Sequence, residues 1–318
     1  MRILITGISG FAGSHLADYF LAEGKHEIFG TIKWRSKRDN ILHLEDKVNL
    51  VECDITDAFA VKSVLEKSKP DFIFHLAAQS YVPFSWHVPK ATLETNIMGE
   101  LNVFECVREL KLDPLIHIAG SSEEYGLVHP DEVPIKEDNP LRPLSPYAVS
   151  KVAQDFLGYQ YFKSYGLKVV RTRAFNHTGP RRGEVFVTSN FARQLIEIER
   201  GHRKPVLHVG NLNAVRDFSD VRDVVRAYAF ALEKGTPGEV YNIASGEGVK
   251  IGGLLDRLVA LSKVNIKIEQ DPDRMRPSDV ELLVGSADKF KKVTGWKPEI
   301  PFDKTLTDLM DFWRSVIK

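Results

Sequence analysis

The sequence predicts an α/β protein, a doubly wound parallel sheet followed by a smaller C-terminal lobe. Three observations predict it. A glycine turn, Gly7 to Gly13, joins a short β-type run to a helical stretch. Similar β-type runs then alternate with helical stretches as far as residue 175, and strands alternating with helices imply a parallel sheet covered on both faces. Beyond Asn176 the rhythm gives way to loops rich in Gly, Pro and Arg.

In chain order, Arg2 to Thr6 is the first β-type run, and Ser14 to Glu23 shows helical periodicity. His26 to Ile32, Val48 to Cys53, Phe72 to Leu76, Leu115 to Ala119 and Lys168 to Arg173 read as further strands. A helix is expected near Ser189 to Arg200, and another over Val221 to Leu232. The β-like Glu239 to Ile243 follows it, which suggests that the chain re-enters the first domain there. Residues 1–175, with re-entry near 215–243, are therefore expected to form one domain and residues 176–318 the smaller lobe.

Composition narrows the classes of function. Hydrophobic residues are 43% and charged residues 27% of the chain, an ordinary globular balance without the polar bias of disorder. Lys plus Arg equals Asp plus Glu at 43 each, so no overall field draws the chain to nucleic acid or acidic membranes. Cys53 and Cys106 lie in apolar runs without metal-ligand spacing, as buried thiols in a reducing compartment would. No metal is expected. No 18-residue apolar stretch or signal-peptide pattern occurs, and a cytoplasmic protein is expected.

Gly7, Gly10 and Gly13 form a GxxGxxG turn that encloses Phe11 and Ala12. Missing side chains at such a turn let backbone N–H groups approach a pyrophosphate at the helix N-terminus. An acid at the end of the second strand would hold the ribose 2′-OH of NAD, whereas basic residues would receive the 2′-phosphate of NADP. Here Ile32 runs into Lys33, Trp34, Arg35, Ser36, Lys37 and Arg38. NADP is the expected cofactor, with Lys33 and Arg35 at its phosphate; a solvated basic loop is the alternative. Asp54, with Ile55 beside it, stands where an adenine amine could be met. Leu76, Ala77 and Ala78 end the fourth strand with residues that could face a dinucleotide. Either group could equally be strand-end packing.

Tyr147 and Lys151 are four residues apart, which puts both on one helical face. Ser121, Ser122 and Glu123 follow the end of a predicted strand, and ligands bind beyond the carboxyl ends of such strands. The five residues can converge there. A phenol titrates near pH 10, too high for a base at neutral pH, but a nearby ammonium and an oxidised nicotinamide favour its ionised form. Tyr147 could then take a hydroxyl proton as hydride leaves, with Ser121 orienting that hydroxyl and Lys151 holding the nicotinamide ribose.

GISGFAG, HLAAQS, Asn96 in ETNIMGE, GSSEEYG and YAVSK together resemble the extended short-chain dehydrogenases/reductases that act on nucleotide sugars, over nearly the whole chain. That resemblance implies a Rossmann domain and a nucleotide-sugar-binding lobe. HLAAQSYVPFSW, FNHTGPRRGEVFVT, VGNLNAVRDFSDVRD, RPSDVELLVG and TGWKPE resemble, more narrowly, GDP-mannose 4,6-dehydratases and GDP-4-keto-6-deoxy-mannose reductases. The narrower resemblance places Gly7, Gly10, Gly13, Arg35, Asp54, Tyr147 and Lys151 at NADP-binding positions, with His177 and Arg182 near the cofactor. It places Asn176, Arg216 and Arg276 on the substrate diphosphate, Val187 and Asp279 on guanosine, and Ser85 and Ser122 near the hexose. Ser121, Ser122 and Glu123 match the Thr-Ser-Glu triad of the dehydratases, which implies that Glu123 handles the C5 proton and the C6 hydroxyl. The substrate implied is GDP-mannose, or its 4-keto-6-deoxy product if the chain is a reductase. Ser189 and Asn190 depart from the Arg-Lys that dehydratases carry there, and GSSEEYG and VTSNF also resemble the reductases. Apolar residues on helices around Ala91 to Leu110 and Tyr147 to Phe162 could pair across a symmetric four-helix interface, as in that family. A homodimer is expected, with a tetramer as the alternative.

Overall fold

A computed structural model of the chain describes residues 1–274 and 280–318. The first half alternates as expected: β1 (Arg2–Thr6), α1 (Phe11–Glu23), β2 (Glu27–Ile32), β3 (Asn49–Glu52), α2 (Ala58–Ser68) and β4 (Phe72–His75). Next come α3 (Val82–His87), α4 (Pro89–Leu93), α5 (Gly99–Glu109), β5 (Leu115–Ser121), α6 (Pro146–Tyr165) and β6 (Lys168–Ala174). The second half contains β7 (Asn176–Thr178), α7 (Val187–Glu199), β8 (Val206–Val209), β9 (Val215–Asp220), α8 (Val221–Lys234), β10 (Val240–Ile243) and β11 (Gly248–Lys250). It closes with α9 (Ile251–Leu261), β12 (Lys267–Gln270), β13 (Leu282–Leu283), α10 (Asp288–Thr294) and α11 (Phe302–Val316).

The main sheet has the order β10-β6-β5-β4-β1-β2-β3, and every pairing in it is parallel. Apart from the edge strand β3, its strands are largely buried on both faces because side chains alternate between two cores. Ile3 and Ile5 of β1 join Phe20 of α1 and Val224 of α8 on one side. Leu4 joins Val64 of α2, Val103 and Val107 of α5 on the other. Strand order reverses between β1 and β4, and that switch point is where a doubly wound sheet opens a crevice beyond its strand ends.

The later segments build a second core. Phe191 and Leu195 of α7, Leu254 and Leu258 of α9, and Leu306, Leu309 and Met310 of α11 pack together. Beside this core, β9 pairs with β7, β11 and β13, while β8 pairs with β12. The β-like segment near Glu239 becomes β10, which pairs with β6 from Val240↔Arg171 to Ile243↔Ala174 and so extends the main sheet.

The stretch expected as one helix over Ala91 to Leu110 is interrupted. A single π turn, Glu94–Met98, separates α4 from α5. Such wide turns re-aim a side chain at the cost of one regular bond. Here the re-aimed residue is Asn96, fully buried, whose Nδ2 donates to Ser150 Oγ at 2.8 Å and to Gln79 O at 3.1 Å, while its Oδ1 accepts from Gln79 N at 2.8 Å. The π turn thereby ties the loop after β4 to α6. Among the described residues no helix is long and apolar enough to cross a membrane.

Candidate active site

The crevice at the β1/β4 switch point is a cavity of about 470 Å³. Its floor is the glycine turn. Gly7 has φ +71°, and a Cβ there would sit 2.9 Å from Ala77 Cα, so the left-handed turn and the close approach of the β4 end both require glycine. A Cβ on Gly13 would lie 2.4 Å from Gly7 O, so its absence lets α1 start directly against the turn. Gly10 is the N-cap of α1 and supplies no side-chain cap, which leaves first-turn N–H groups to meet an anion. Phe11, Ala12, Ile55, Leu76, Ala77 and Ala78 line the same cavity. These features fit a dinucleotide pyrophosphate.

The basic loop is divided. Lys33 lines the cavity and its Nζ lies 2.7 Å from Asp54 Oδ2, the two side chains being about two-thirds and one-third exposed. Arg35 is exposed, adopts φ +59°, and does not line the cavity; Ser36 does. Sequence reasoning did not single out Ser36, because a lone Ser in a charged run carries no signal of its own.

Opposite the turn, β5 delivers the reacting groups. Ser121 caps the short 3₁₀ turn Ser122–Glu124, its Oγ accepting from Glu123 N at 3.2 Å, while Glu124 Oε1 accepts from Ser121 N at 2.7 Å. This capping box sends the two neighbouring glutamates in different directions. Glu124 is fully buried, with Oε2 3.1 Å from Arg173 Nε. Glu123 faces the cavity beside Ser121, Ser122, Tyr147 and Lys151. Serine 145 caps α6 through Ala148 N at 3.1 Å, and that start sets Tyr147 and Lys151 on the cavity side.

Burial pushes the Tyr147 phenol well above its usual range; a hydrogen bond with Ser121 draws it back, the charges of Glu123 and Glu124 add to the rise, and Arg182 opposes it. Lys151 Nζ donates to Ala119 O at 2.8 Å. Burial pulls its pKa down to about 8, against the opposing charges of Glu100 and Glu124.

The far wall comes from the second half of the chain. Asn176, His177, Arg182, Val187 and Thr188 line the cavity. The Arg182 guanidinium sits 3.5 Å from the Phe186 ring centre and 4.8 Å from that of Phe11, and burial brings its pKa down to about 10. His177 stacks on the other ring neighbour, Phe11, at 5.8 Å with planes 7° apart. Tyr228 of α8 also reaches the cavity, a residue that helical periodicity alone assigns to the core.

Ser85 and Arg216 do not line this cavity. Ser85 Oγ donates to Val82 O at 2.7 Å inside α3, and Arg216 is buried on β9 with Nη1 donating to Val215 O at 3.0 Å. Arg276 and Asp279 lie outside the described residues. Ser189 and Asn190 have structural partners: Ser189 Oγ donates to Arg182 O at 2.6 Å and accepts from Trp313 Nε1 at 3.0 Å, and Asn190 Nδ2 donates to Glu184 O at 3.0 Å. Together they brace the loop that carries Arg182.

The family model described as GDP-mannose 4,6 dehydratase matches residues 4–309. The chain belongs to the GDP-mannose 4,6-dehydratase family. It is therefore an enzyme. Within this family it is 34% identical to the GDP-6-deoxy-D-mannose reductase of Pseudomonas aeruginosa, over 100% of the chain and 98% of the relative. It is 35% identical to GDP-mannose 4,6 dehydratase 2 of Arabidopsis thaliana, over 97% of the chain and 85% of the relative. Among solved structures it is similar to that of RMD from Pseudomonas aeruginosa complexed with NADPH, at a TM-score of 0.87 and 31% identity with both chains fully covered. A UDP-glucose 4-epimerase from Thermotoga maritima, solved with UDP-glucose, superimposes at a TM-score of 0.90 and 29% identity, again with both chains fully covered. The overall fold is thus shared with a reductase and with an epimerase, each bound to a nucleotide in its own structure.

Proposed function

We propose that the enzyme is an NADP-dependent GDP-mannose 4,6-dehydratase. The observation that carries the reading is Glu123: of the two adjacent glutamates, the capping box buries Glu124 and leaves Glu123 facing the cavity beside Ser121 and Tyr147. A reductase needs a proton donor at C4 but no base at C5; a dehydratase needs both. The glycine turn and Lys33 would hold the cofactor, and Asn176, Val187 and Arg182 stand where a nucleotide sugar would enter. Bound NADP supplies a hydride acceptor for C4 and returns the hydride to C6.

The chain's own residues do the rest. Tyr147, with Lys151 and Arg182 as cations near it, takes the C4 hydroxyl proton, and Ser121 orients that hydroxyl. The resulting C4 ketone acidifies the C5 proton, which passes to Glu123. Glu123 then protonates the departing C6 hydroxyl, which leaves as water, and the C5–C6 double bond forms. The proton that Tyr147 took from the C4 hydroxyl goes to C5 as C6 is reduced, so the 4-keto-6-deoxy sugar is released with both Tyr147 and the cofactor restored. Phe11, Phe186 and Tyr228 add aromatic rings to the cavity wall.

One observation favours reduction of the 4-keto-6-deoxy sugar instead: Ser189 and Asn190, which stand in place of the Arg-Lys of the dehydratases, donate to Arg182 O and Glu184 O and so brace a loop. Incubation with GDP-mannose and a catalytic amount of NADP separates the two. A dehydratase removes one water from the sugar nucleotide, read by mass, and Glu123→Gln stalls after oxidation with nicotinamide absorbance building up. Unchanged GDP-mannose, together with NADPH consumption on the 4-keto-6-deoxy sugar, would assign the reductase.

A further inference from the structure

The far wall of the cavity is fastened to the glycine-turn helix by a residue that does not line the cavity itself. Arg181 and Arg182 are neighbours with different tasks. Arg182 lines the cavity, whereas Arg181 reaches α1, where its Nη2 donates to Asp18 Oδ2 and to His15 Nδ1, both at 2.6 Å. Its Nη1 donates to Asn40 O at 3.2 Å, just past the basic run that ends at Arg38. Asn40 Nδ2 donates in turn to Ser9 O of the glycine turn at 3.2 Å, and His43 Nε2 donates to the other oxygen of Asp18 at 2.8 Å. One guanidinium thus joins α1, the end of the basic loop and the loop that carries Arg182.

His15 completes the joint. Its Nε2 lies 2.9 Å from Pro180 O; a carbonyl can only accept, so Nε2 carries the proton and Nδ1 keeps the lone pair that receives Arg181. Burial and the Arg181 charge hold the ring neutral, with its pKa drawn down to about 4. The backbone is bent to suit: Arg181 adopts φ +68°, a left-handed conformation that a residue with a Cβ disfavours. Such a conformation persists where the surroundings over-determine it, and here the side chain's own bonds do so. The guanidinium is largely buried, so these charge-assisted bonds are little screened.

We propose that Arg181 is a positioning residue for the cofactor, a clamp that locks the loop carrying Arg182 and the end of the basic loop onto α1, so that the crevice stands preformed for the dinucleotide. This rests on the reading of the crevice as the NADP site, and holds for the dehydratase and the reductase alike. With the clamp broken, the wall has to be ordered as the cofactor binds, and affinity falls with the fraction of molecules already closed. Because Arg181 does not itself line the cavity, NADPH and NADH both lose.

The test is fluorescence titration of NADPH and NADH into the full chain, under conditions where denaturant unfolding shows wild type and variants to be folded. A residue that only adds stability leaves the dissociation constants unmoved there. Arg181→Asn tolerates the left-handed backbone but is too short to reach Asp18. It is expected to weaken NADPH and NADH alike, by about tenfold. Asp18→Asn breaks the ion pair from the other side and should also weaken both dinucleotides; it carries the test if Arg181→Asn does not fold. The double variant should bind no worse than Arg181→Asn, since both substitutions open one joint. Arg181→Lys, which keeps the charge but not the fork, should fall between Arg181→Asn and wild type. Dissociation constants within about twofold of wild type in the folded single variants, or additive losses in the double variant, overturn the proposal. Lys33→Ala tells this failure from a fault in the underlying reading. Selective loss of NADPH in Lys33→Ala, beside wild-type binding in Arg181→Asn, keeps the cofactor in the crevice and removes the clamp alone. A wild-type chain that binds neither dinucleotide overturns the cofactor site and the clamp together.

Discussion

At the residue scale the site sets Tyr147 in a place where burial disfavours its own ionised form, offset in part by a hydrogen bond with Ser121 and by the charge of Arg182. Removing only its hydroxyl, by Tyr147→Phe, is expected to lower kcat by about 10²–10⁴-fold while NADPH binding, followed by fluorescence titration, stays within a few-fold of wild type. Lys33 and Arg35 make a second pair of residues whose parts differ. Both were expected at a 2′-phosphate from their place after Ile32, yet Lys33 lines the cavity and Arg35 turns outward at φ +59°. Lys33→Ala is therefore expected to weaken NADPH roughly tenfold and NADH little, since a charge-assisted hydrogen bond contributes about 1.5 kcal/mol or more. Arg35→Ala should weaken NADPH less than Lys33→Ala does; the reverse ranking in parallel titrations would return the phosphate to Arg35. Glu123 was recognisable as chemistry in the sequence. The resemblance chose it over its neighbour Glu124; the structure adds the means, a capping box at Ser121 that buries Glu124 and leaves Glu123 at the cavity.

At the scale of elements, periodicity and turn residues placed β1, α1 and the other strands of the main sheet within a few residues of where they form. The glycine turn was legible because close backbone approach can be met by so few residue types. Gly13→Ala puts a Cβ against Gly7 O and Ile8 Cα, both backbone atoms that cannot swing aside. It is expected to destabilise the protein by about 1–3 kcal/mol in denaturant unfolding and to weaken cofactor binding. Gly253 offers the opposite case: it lies inside α9 with nothing within 4 Å of a built Cβ. Gly253→Ala is expected to stabilise by about 0.5–1 kcal/mol, because it removes backbone freedom from the unfolded chain without a clash. The π turn at Glu94–Met98 was not legible. Its cause is the set of partners that Asn96 finds on Gln79 and Ser150, residues far from it in sequence.

At the scale of the whole molecule, burial sets the response to acid. His15, His75 and His117 are drawn by burial to about 4, 3 and 3, against an ordinary 6.5. Unfolded, each takes a proton near pH 6.5; folded, it does not until the lower value. Between those limits the unfolded chain binds more protons, so stability falls as pH drops from 6.5 toward 4. Glu100 and Glu124 are raised by burial and act in the opposite sense, so the histidine part is best read as a difference. His117→Gln is expected to flatten the slope of unfolding free energy by up to about 1.4 kcal/mol per pH unit in that window, measured by denaturant titrations at pH 6, 5 and 4.5. An unchanged slope would show that His117 does not stay neutral in the folded protein. By itself the sequence determined the order of strands and helices, the glycine turn, and the five residues Ser121, Ser122, Glu123, Tyr147 and Lys151. Each of these is written in local spacing, and local spacing decides which faces of a helix or strand are apolar and which side chains share one. Only the tertiary structure decided that Lys33 and Ser36 face the cavity while Arg35 does not, that Arg182 lies against Phe11 and Phe186, and that Glu100 is buried against Gln154. Those placements arise where segments distant in the chain meet, and the packing that fixes them has no counterpart in any short stretch of residues.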